Sequence, residues 1–334
     1  MKENITMEKS RVAFVGLGNY SNALAGSVER AKNLEIVNCF TRTAATREAF
    51  AEKHGCRESN SLDGVLNDSE VEGVIVVTPH STHADIICQA ASAGKHVFIE
   101  KPLALTVADV DRASDAASKA GVTLQVGHHR RFQGATRHIR QMIDSGELGV
   151  LYQLEANLSM PGGPRTGWRD DPNECPVGSM TGLGVHMVDN LHYLAGPVKQ
   201  VSAFSAKLTS VGNLDNVTSI VAEFESGALG YIGTCSGVPK LFSTAAFGTE
   251  CNAWCEDEGK KLFLQKKGEM VRAEVPVEGG DAIAEELAAF GNSIRTGERA
   301  EVGGPEGREV IVFLEAVIES VKSGKAVDLS NYRG

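Results

Sequence analysis

The chain has little that would place it in a membrane or on a nucleic acid. Its most concentrated apolar run, Val74-Ile75-Val76-Val77, is far shorter than the roughly 18 residues a spanning helix needs. The opening segment, MKENITMEKSR, is charged and has no apolar h-region, so no secretory leader is expected there. Basic residues are not in excess: 33 Lys and Arg stand against 43 Asp and Glu, a formal charge of −10. A surface of that sign repels phosphate backbones and anionic lipid, so neither nucleic acid nor a membrane is an expected partner. The seven cysteines (Cys39, Cys56, Cys88, Cys175, Cys235, Cys251 and Cys255) are odd in number and scattered. That suits a reducing cytoplasm better than a disulfide framework. Cys251 and Cys255 are four apart, but no second Cys or His pair follows at zinc spacing. They read as two thiols in or beside a strand, and no metal is expected. Internal repeats and low-complexity segments are also absent.

What is present is an ordinary globular composition, 42% hydrophobic and 23% charged over 334 residues, enough for two domains of about 150 residues each. Short Val/Ile-rich runs at Arg11–Val15, Leu34–Phe40, Gly73–Thr78, His96–Ile99 and Val122–Val126 alternate with helical patterns near 19–31, 43–54, 82–93 and 106–120. Strands alternating with helices of a dozen residues imply βαβ units and a parallel sheet. Thr106 and Asp109 have capping-box spacing, with Asp in place of the usual Glu. After Gly127 the pattern changes. A helix near 131–145 precedes a Gly/Pro-rich loop, Met160–Met180, and a second helix over 184–195. Strand-like runs at 148–158, 198–206, 217–224, 228–235, 241–247 and 261–264 have short turns between them, which implies an antiparallel or mixed sheet. Helical stretches near 281–296 and 305–323 close the chain. The pattern is therefore that of an α/β, dinucleotide-type domain (residues 1–126) followed by an α+β domain with an antiparallel or mixed sheet (residues 127–334).

Gly16-Leu17-Gly18-Asn19-Tyr20-Ser21 sits where the first strand turns into the first helix. Gly16 suits the tight turn, and Gly18 lets backbone N–H groups approach a pyrophosphate. The helix N-terminus, with Asn19 and Tyr20 in its first turn, adds positive potential. Ser21 is small enough for close helix–strand packing. The second strand ends in Thr41 and Arg42, where an NAD site usually offers a carboxylate to the ribose diol. A hydroxyl and a guanidinium suit a 2′-phosphate better, with Arg47 one helical turn on to assist. NADP(H) is thus the expected cofactor. NAD(H) is the alternative, with Arg42 stacked on the adenine.

Lys101 follows the strand His96–Ile99, and ligands in open α/β sheets bind beyond the carboxyl ends of strands. Taken alone, such a lysine reads more readily as a surface residue. The order of motifs says more: Val15-Gly16-Leu17-Gly18, then Thr78-Pro79-His80-Ser81-Thr82-His83, then Gly94-Lys95-His96-Val97-Phe98-Ile99-Glu100-Lys101-Pro102-Leu103, then Gly127-His128-His129-Arg130-Arg131-Phe132. With Gly167-Trp168-Arg169-Asp170-Asp171-Pro172 and Gly184-Val185-His186-Met187-Val188-Asp189, this series closely resembles the Gfo/Idh/MocA oxidoreductase family over nearly the whole chain.

The resemblance implies NAD(P)-dependent oxidation or reduction of sugars, inositols, cyclic diols or related carbonyl compounds. It also implies an N-terminal Rossmann domain with a parallel sheet, a C-terminal α+β domain built on a large, mostly antiparallel sheet used for contacts in a homo-oligomer, a dimer or tetramer, and a cis peptide before Pro102. Thr78, Pro79, His80, His83, Glu100 and Lys101 carry over as cofactor-site positions. Lys101 and His186 carry over as the catalytic pair: His186 takes the hydroxyl proton and Lys101 polarises the same oxygen. On a helix His186 and Asp189 share a face, so the carboxylate is placed to orient the ring. His192 reads as helix packing. His129, Arg131, Trp168 and Arg169 are candidate pocket-lining residues with Lys101, His186 and Asp189; for Arg131 and Arg169 a structural ion pair is an equal alternative. Many sugar and inositol dehydrogenases of the family have Asp four residues before the histidine. Here Gly182 stands there, which leaves room for a different or bulkier substrate. Two other classes of function remain on the same scaffold: a redox-neutral, NAD-dependent glycosidase and a non-catalytic nucleotide sensor.

Overall fold

The computed structural model describes residues 8–163, 166–210 and 212–333, so most of the charged opening segment and part of the Gly/Pro-rich loop lie outside the described residues. The chain divides into two compact units. One holds the described residues up to Gly127 together with Ile283–Gly307; the other holds His128–Ala282 and the chain from Arg308.

The first unit runs β1 (Ser10–Val15), α1 (Asn19–Ala31), β2 (Leu34–Phe40), α2 (Ala44–His54), β3 (Arg57–Glu58), α3 (Leu62–Leu66), β4 (Gly73–Val76), α4 (His83–Ser92), β5 (His96–Glu100), α5 (Val107–Ala120) and β6 (Leu124–Gly127). The six strands are parallel, in the order β3-β2-β1-β4-β5-β6. The order reverses between β1 and β4, the place where open α/β sheets bind ligands. All four residues of β4 are buried, which is why it reads as a continuous apolar run instead of alternating. Phe14, Ile75 and Phe98 from the strands pack with Leu24, Val28 and Phe50 from the helices and with Leu287 and Phe290 from the returning segment. Phe98 and Phe290 meet edge to face at 5.8 Å. Each such fully buried side chain contributes about 1.5–3 kcal/mol.

The Thr106–Asp109 cap forms in a modified way. Thr106 Oγ1 accepts from the Asp109 N–H (3.2 Å), and its hydroxyl donates to the Asp109 carboxylate (2.9 Å). Asp is one methylene shorter than Glu, and here its carboxylate bonds the cap's hydroxyl. Two elements were not legible in the sequence, β3 and α3. The first is two polar residues and the second barely more than one turn, so neither carries a periodicity.

The second unit contributes α6 (Gly134–Asp144), β7 (Leu151–Met160), α7 (Val185–Ala195), β8 (Val198–Ala206), β9 (Val217–Phe224), β10 (Leu229–Ser236), β11 (Leu241–Gly248), β12 (Cys251–Glu256), β13 (Lys261–Lys266) and β14 (Ala273–Val275). Along the chain, α8 (Ala282–Thr296), nearly all of it in the first unit, comes next, followed by α9 (Gly304–Ser323), β15 (Val327–Asp328) and α10 (Ser330–Arg333). The nine-stranded sheet has the order β14-β13-β12-β11-β7-β10-β9-β8-β15. Only the β7–β10 pair is parallel. One face is buried: Leu154, Ala156 and Leu158 of β7 alternate with half-buried Gln153, Glu155 and Asn157. The strand β12 was expected only as a strand or its neighbour. Its inward positions, Cys251, Ala253 and Cys255, are small and give a weak alternation signal. All seven cysteines are free thiols. Among the described residues, no helix is long and apolar enough to cross a membrane.

Candidate active site

In the first unit the glycine turn is pressed against the end of β4. Gly16 has φ +88°, and a Cβ there would lie 2.5 Å from the Val77 carbonyl oxygen and 2.8 Å from Thr78 Cγ2. Any side chain is excluded both by backbone conformation and by contact. At Gly18, the N-cap of α1, a Cβ would meet nothing within 4 Å. The space over the helix start is open, with exposed Asn19 and half-buried Tyr20 beside it. The N–H groups of a first helical turn have no intrahelical acceptors, so the turn has the room and the donors to receive an anion. Ser21 is fully buried and donates its hydroxyl to the Gly18 carbonyl (2.5 Å), which fastens the turn from beneath.

At the end of β2, Thr41 is half-buried and Arg42 exposed. Arg47, expected to assist at a 2′-phosphate, does something else. Its buried guanidinium donates to the carbonyls of Thr41 (2.8 Å) and Arg42 (3.3 Å) and to Asn60 Oδ1 (3.1 Å), with Glu58 3.7 Å away. It shapes the Thr41–Arg42 backbone and leaves Arg42 as the exposed cation.

After β4, the hydroxyls of Thr78 and Thr82 are 2.7 Å apart, and Thr82 also donates to the Pro79 carbonyl (2.7 Å). His80 and His83 are buried, their rings edge to face at 5.8 Å. His83 has one ring nitrogen 2.9 Å from the Pro102 carbonyl and the other 3.1 Å from the Thr78 carbonyl. Glu100 ends β5, opposite Gly127 of β6. A Cβ at Gly127 would come within 2.9 Å of Glu100 Oε1, so glycine gives the carboxyl its room. Burial pushes that carboxyl up to about 7, against the pull of the Lys101 charge and backbone N–H. Lys101 is half-buried, and the Lys101–Pro102 peptide is cis.

In the second unit three histidine rings cluster. His186, on α7 and 7% exposed, meets His129 edge-on at 5.1 Å and His128 at 6.0 Å. His129 starts a short 3-10 turn, His129–Phe132, that also carries Arg131. Arg131 forms a bidentate pair with Asp189, and its guanidinium lies 5.2 Å from the Tyr193 ring centre. Of the two readings of Arg131, the structural ion pair is the one the geometry realises. Burial by itself would raise the Asp189 carboxyl, but the Arg131 charge and hydrogen bonds hold it below the usual range. His192 packs edge-on against Phe313 at 6.0 Å, and burial pushes its imidazole down to about 4, so it is neutral at physiological pH. Arg169 stacks over Trp168 at 4.1 Å, and desolvation lowers the pKa of its guanidinium.

The stretch before α7 holds a feature that sequence periodicity missed. Met180–Gly184 is a π-helical turn, a form found frequently at functional sites. A Cβ at Gly184 would fall 2.1 Å from Met180 Sδ and 3.1 Å from Thr234 Cγ2, so a side chain there would force the Met180 side chain to move. Ser179 pins it from outside, its N–H donating to the Asp215 carbonyl (3.2 Å) and its hydroxyl 3.1 Å from Thr234 Oγ1. At Gly182 a Cβ would meet nothing within 4 Å. Two glycines in five residues were the available signal, but glycine spacing does not distinguish a π turn from a loop.

Comparison with known proteins bears on the family and the fold. Residues 10–128 match the model of an oxidoreductase family with an NAD-binding Rossmann fold, and residues 136–253 match the GFO/IDH/MocA C-terminal domain. The chain is 26% identical to myo-inositol 2-dehydrogenase of Thermotoga maritima over 81% of its own length and 83% of the relative's. It is 26% identical to 1,5-anhydro-D-fructose reductase of Ensifer adhaerens over 96% and 98%. Among solved structures, a proposed NADPH-dependent oxidoreductase from Desulfitobacterium hafniense superposes with a TM-score of 0.92 at 29% identity, covering 98% of this chain and 99% of that one. With both of its domain models matched, the chain belongs to the Gfo/Idh/MocA family of NAD(P)-dependent oxidoreductases, which act on CH–OH groups.

Proposed function

We propose that this protein oxidises a secondary alcohol, or reduces the matching carbonyl, on a sugar-like, polyol or cyclic substrate, with NADP(H) preferred over NAD(H). The observation that carries the reading is the open cradle over Gly18 at the sheet's switch point, with the Glu100-Lys101-Pro102 turn at the end of a strand in the same sheet. Asn19, Tyr20 and the Gly18 turn hold the pyrophosphate. Thr41 and Arg42 take the 2′-phosphate, and Thr78, Pro79 and His80 border the nicotinamide side. A bound nicotinamide supplies the hydride acceptor or donor. Lys101 holds the substrate oxygen through its ammonium, and His186 takes the hydroxyl proton or returns it. Trp168 offers an apolar face to a ring, Arg169 a cation to its substituents, and His129 a further wall.

The protein works as a homo-oligomer in the cytoplasm. Across the open face of the nine-stranded sheet, one cross-strand row runs Val221, Tyr231, Glu155, Ala245, Trp254, Phe263. Phe204, 78% exposed, lies on the same face. Such an apolar surface marks an interface.

Parallel titration with NADP+ and NAD+, followed by a panel of polyols, aldoses and cyclic diols, tests the proposal. Tighter NADP+ binding, abolished by Arg42→Ala, and stoichiometric reduced nicotinamide are expected. Cleavage of a glycoside with the cofactor retained and no net redox change would replace it with the glycosidase reading.

A further inference from the structure

His83 was expected at the cofactor, yet it is fully buried and its ring nitrogens face protein carbonyls, Pro102 O at 2.9 Å and Thr78 O at 3.1 Å. A neutral imidazole has one N–H donor and one bare nitrogen. Carbonyl oxygens only accept, so in either neutral tautomer one of these contacts would set two lone pairs against each other at about 3 Å. A ring with both nitrogens protonated satisfies both contacts, and charge-assisted hydrogen bonds offset the burial of its charge.

We propose that His83 is an imidazolium clamp, a positioning residue that ties the Lys101–Pro102 turn to the end of β4 through its two N–H groups. Thr78 also flanks the glycine turn, since a Cβ at Gly16 would come within 2.8 Å of its Cγ2. One ring therefore links the phosphate cradle to the lysine's own turn. Its titratable neighbours include His80, edge-on at 5.8 Å on the preceding turn; Glu100 and Lys101 are the two residues before Pro102 in the chain. The catalytic consequence rests on the role proposed above for Lys101; the charge state does not.

The test is long-range proton–nitrogen NMR of the full chain labelled with 15N-histidine, with His83 assigned by the signal missing in His83→Gln. Two N–H nitrogens persisting to about pH 8, well above the free-histidine midpoint of about 6.5, are expected. One bare ring nitrogen at neutral pH overturns the clamp. In kinetics, His83→Phe should lower kcat at least tenfold while NADPH affinity, read by fluorescence, changes less than twofold; His83→Gln, which keeps one donor group, should recover part of the loss. Unchanged kcat in folded His83→Phe overturns the positioning role. Full turnover in Lys101→Ala would sink the proposed role of Lys101 instead, and leaves the NMR result standing.

Discussion

Arg131 donates two hydrogen bonds of 2.7 Å to Asp189, one to each carboxylate oxygen, and Asp189 is fully buried. Asp189 lies three residues after His186 on α7, so this ion pair joins the turn carrying His129 to the helix that presents His186. Helical spacing identified the shared face of His186 and Asp189. It could not show that both oxygens of the carboxylate serve an arginine 58 residues earlier in the chain.

Arg131→Met should destabilise the fold by about 3–5 kcal/mol, because it leaves a buried carboxylate without its counter-charge. Urea unfolding near neutral pH measures this. The folded-state carboxyl of Asp189 lies below its ordinary value, so its contribution is present above about pH 4 and is lost as pH falls through the folded value. The difference between wild type and Arg131→Met should shrink over that acid range; a constant difference would contradict the pairing.

Glu100 shows the opposite sign. Its folded-state carboxyl is raised to about 7, so the stability tied to its neutral form is complete below about pH 4.5 and is lost as pH rises through 7. The loss is on the order of 3 kcal/mol. Glu100→Gln should remove most of it, giving a flatter stability profile between pH 5 and about 8 in the cofactor-free protein.

Lys101→Ala and His186→Ala should each lower kcat by about a hundredfold or more with NADP+ affinity intact. The two residues are assigned to the alcohol oxygen and its proton, and neither belongs to the phosphate cradle. Wild-type turnover in both variants removes the assignment.

Gly182→Asp should fold with little cost, since its Cβ enters open space. It restores the carboxylate that polyol-oxidising relatives are expected to carry. A rise of about tenfold in kcat/KM for a polyol such as myo-inositol, against a smaller change for the native substrate, is the expected outcome. No shift in the substrate panel would show that position 182 does not face the substrate.

Much of this was legible in the residues. The β1–α1 glycine turn, the strands β2, β4 and β5, and α7 with His186 all follow from local patterns that one or two turns of chain suffice to express. Elements with short or polar sequences, such as β3, α3 and the π turn at Met180–Gly184, carry no period and were not found. Arg47 was misread because its side chain type suits a phosphate. Its partners, the Thr41 and Arg42 carbonyls, are backbone atoms that no composition reveals.

The sequence alone determined the fold class and the family and supplied the candidate site residues, because strand–helix periodicity and motif order are local properties. Only the tertiary structure decided which charges are paired, which histidines touch, and which glycines are there for space. Arg131 with Asp189, His83 with Pro102 and Thr78, and the open positions at Gly18 and Gly182 depend on distances between segments far apart in the chain or in different turns. Those distances are set by packing, in which every buried polar group must find a partner wherever the fold brings one.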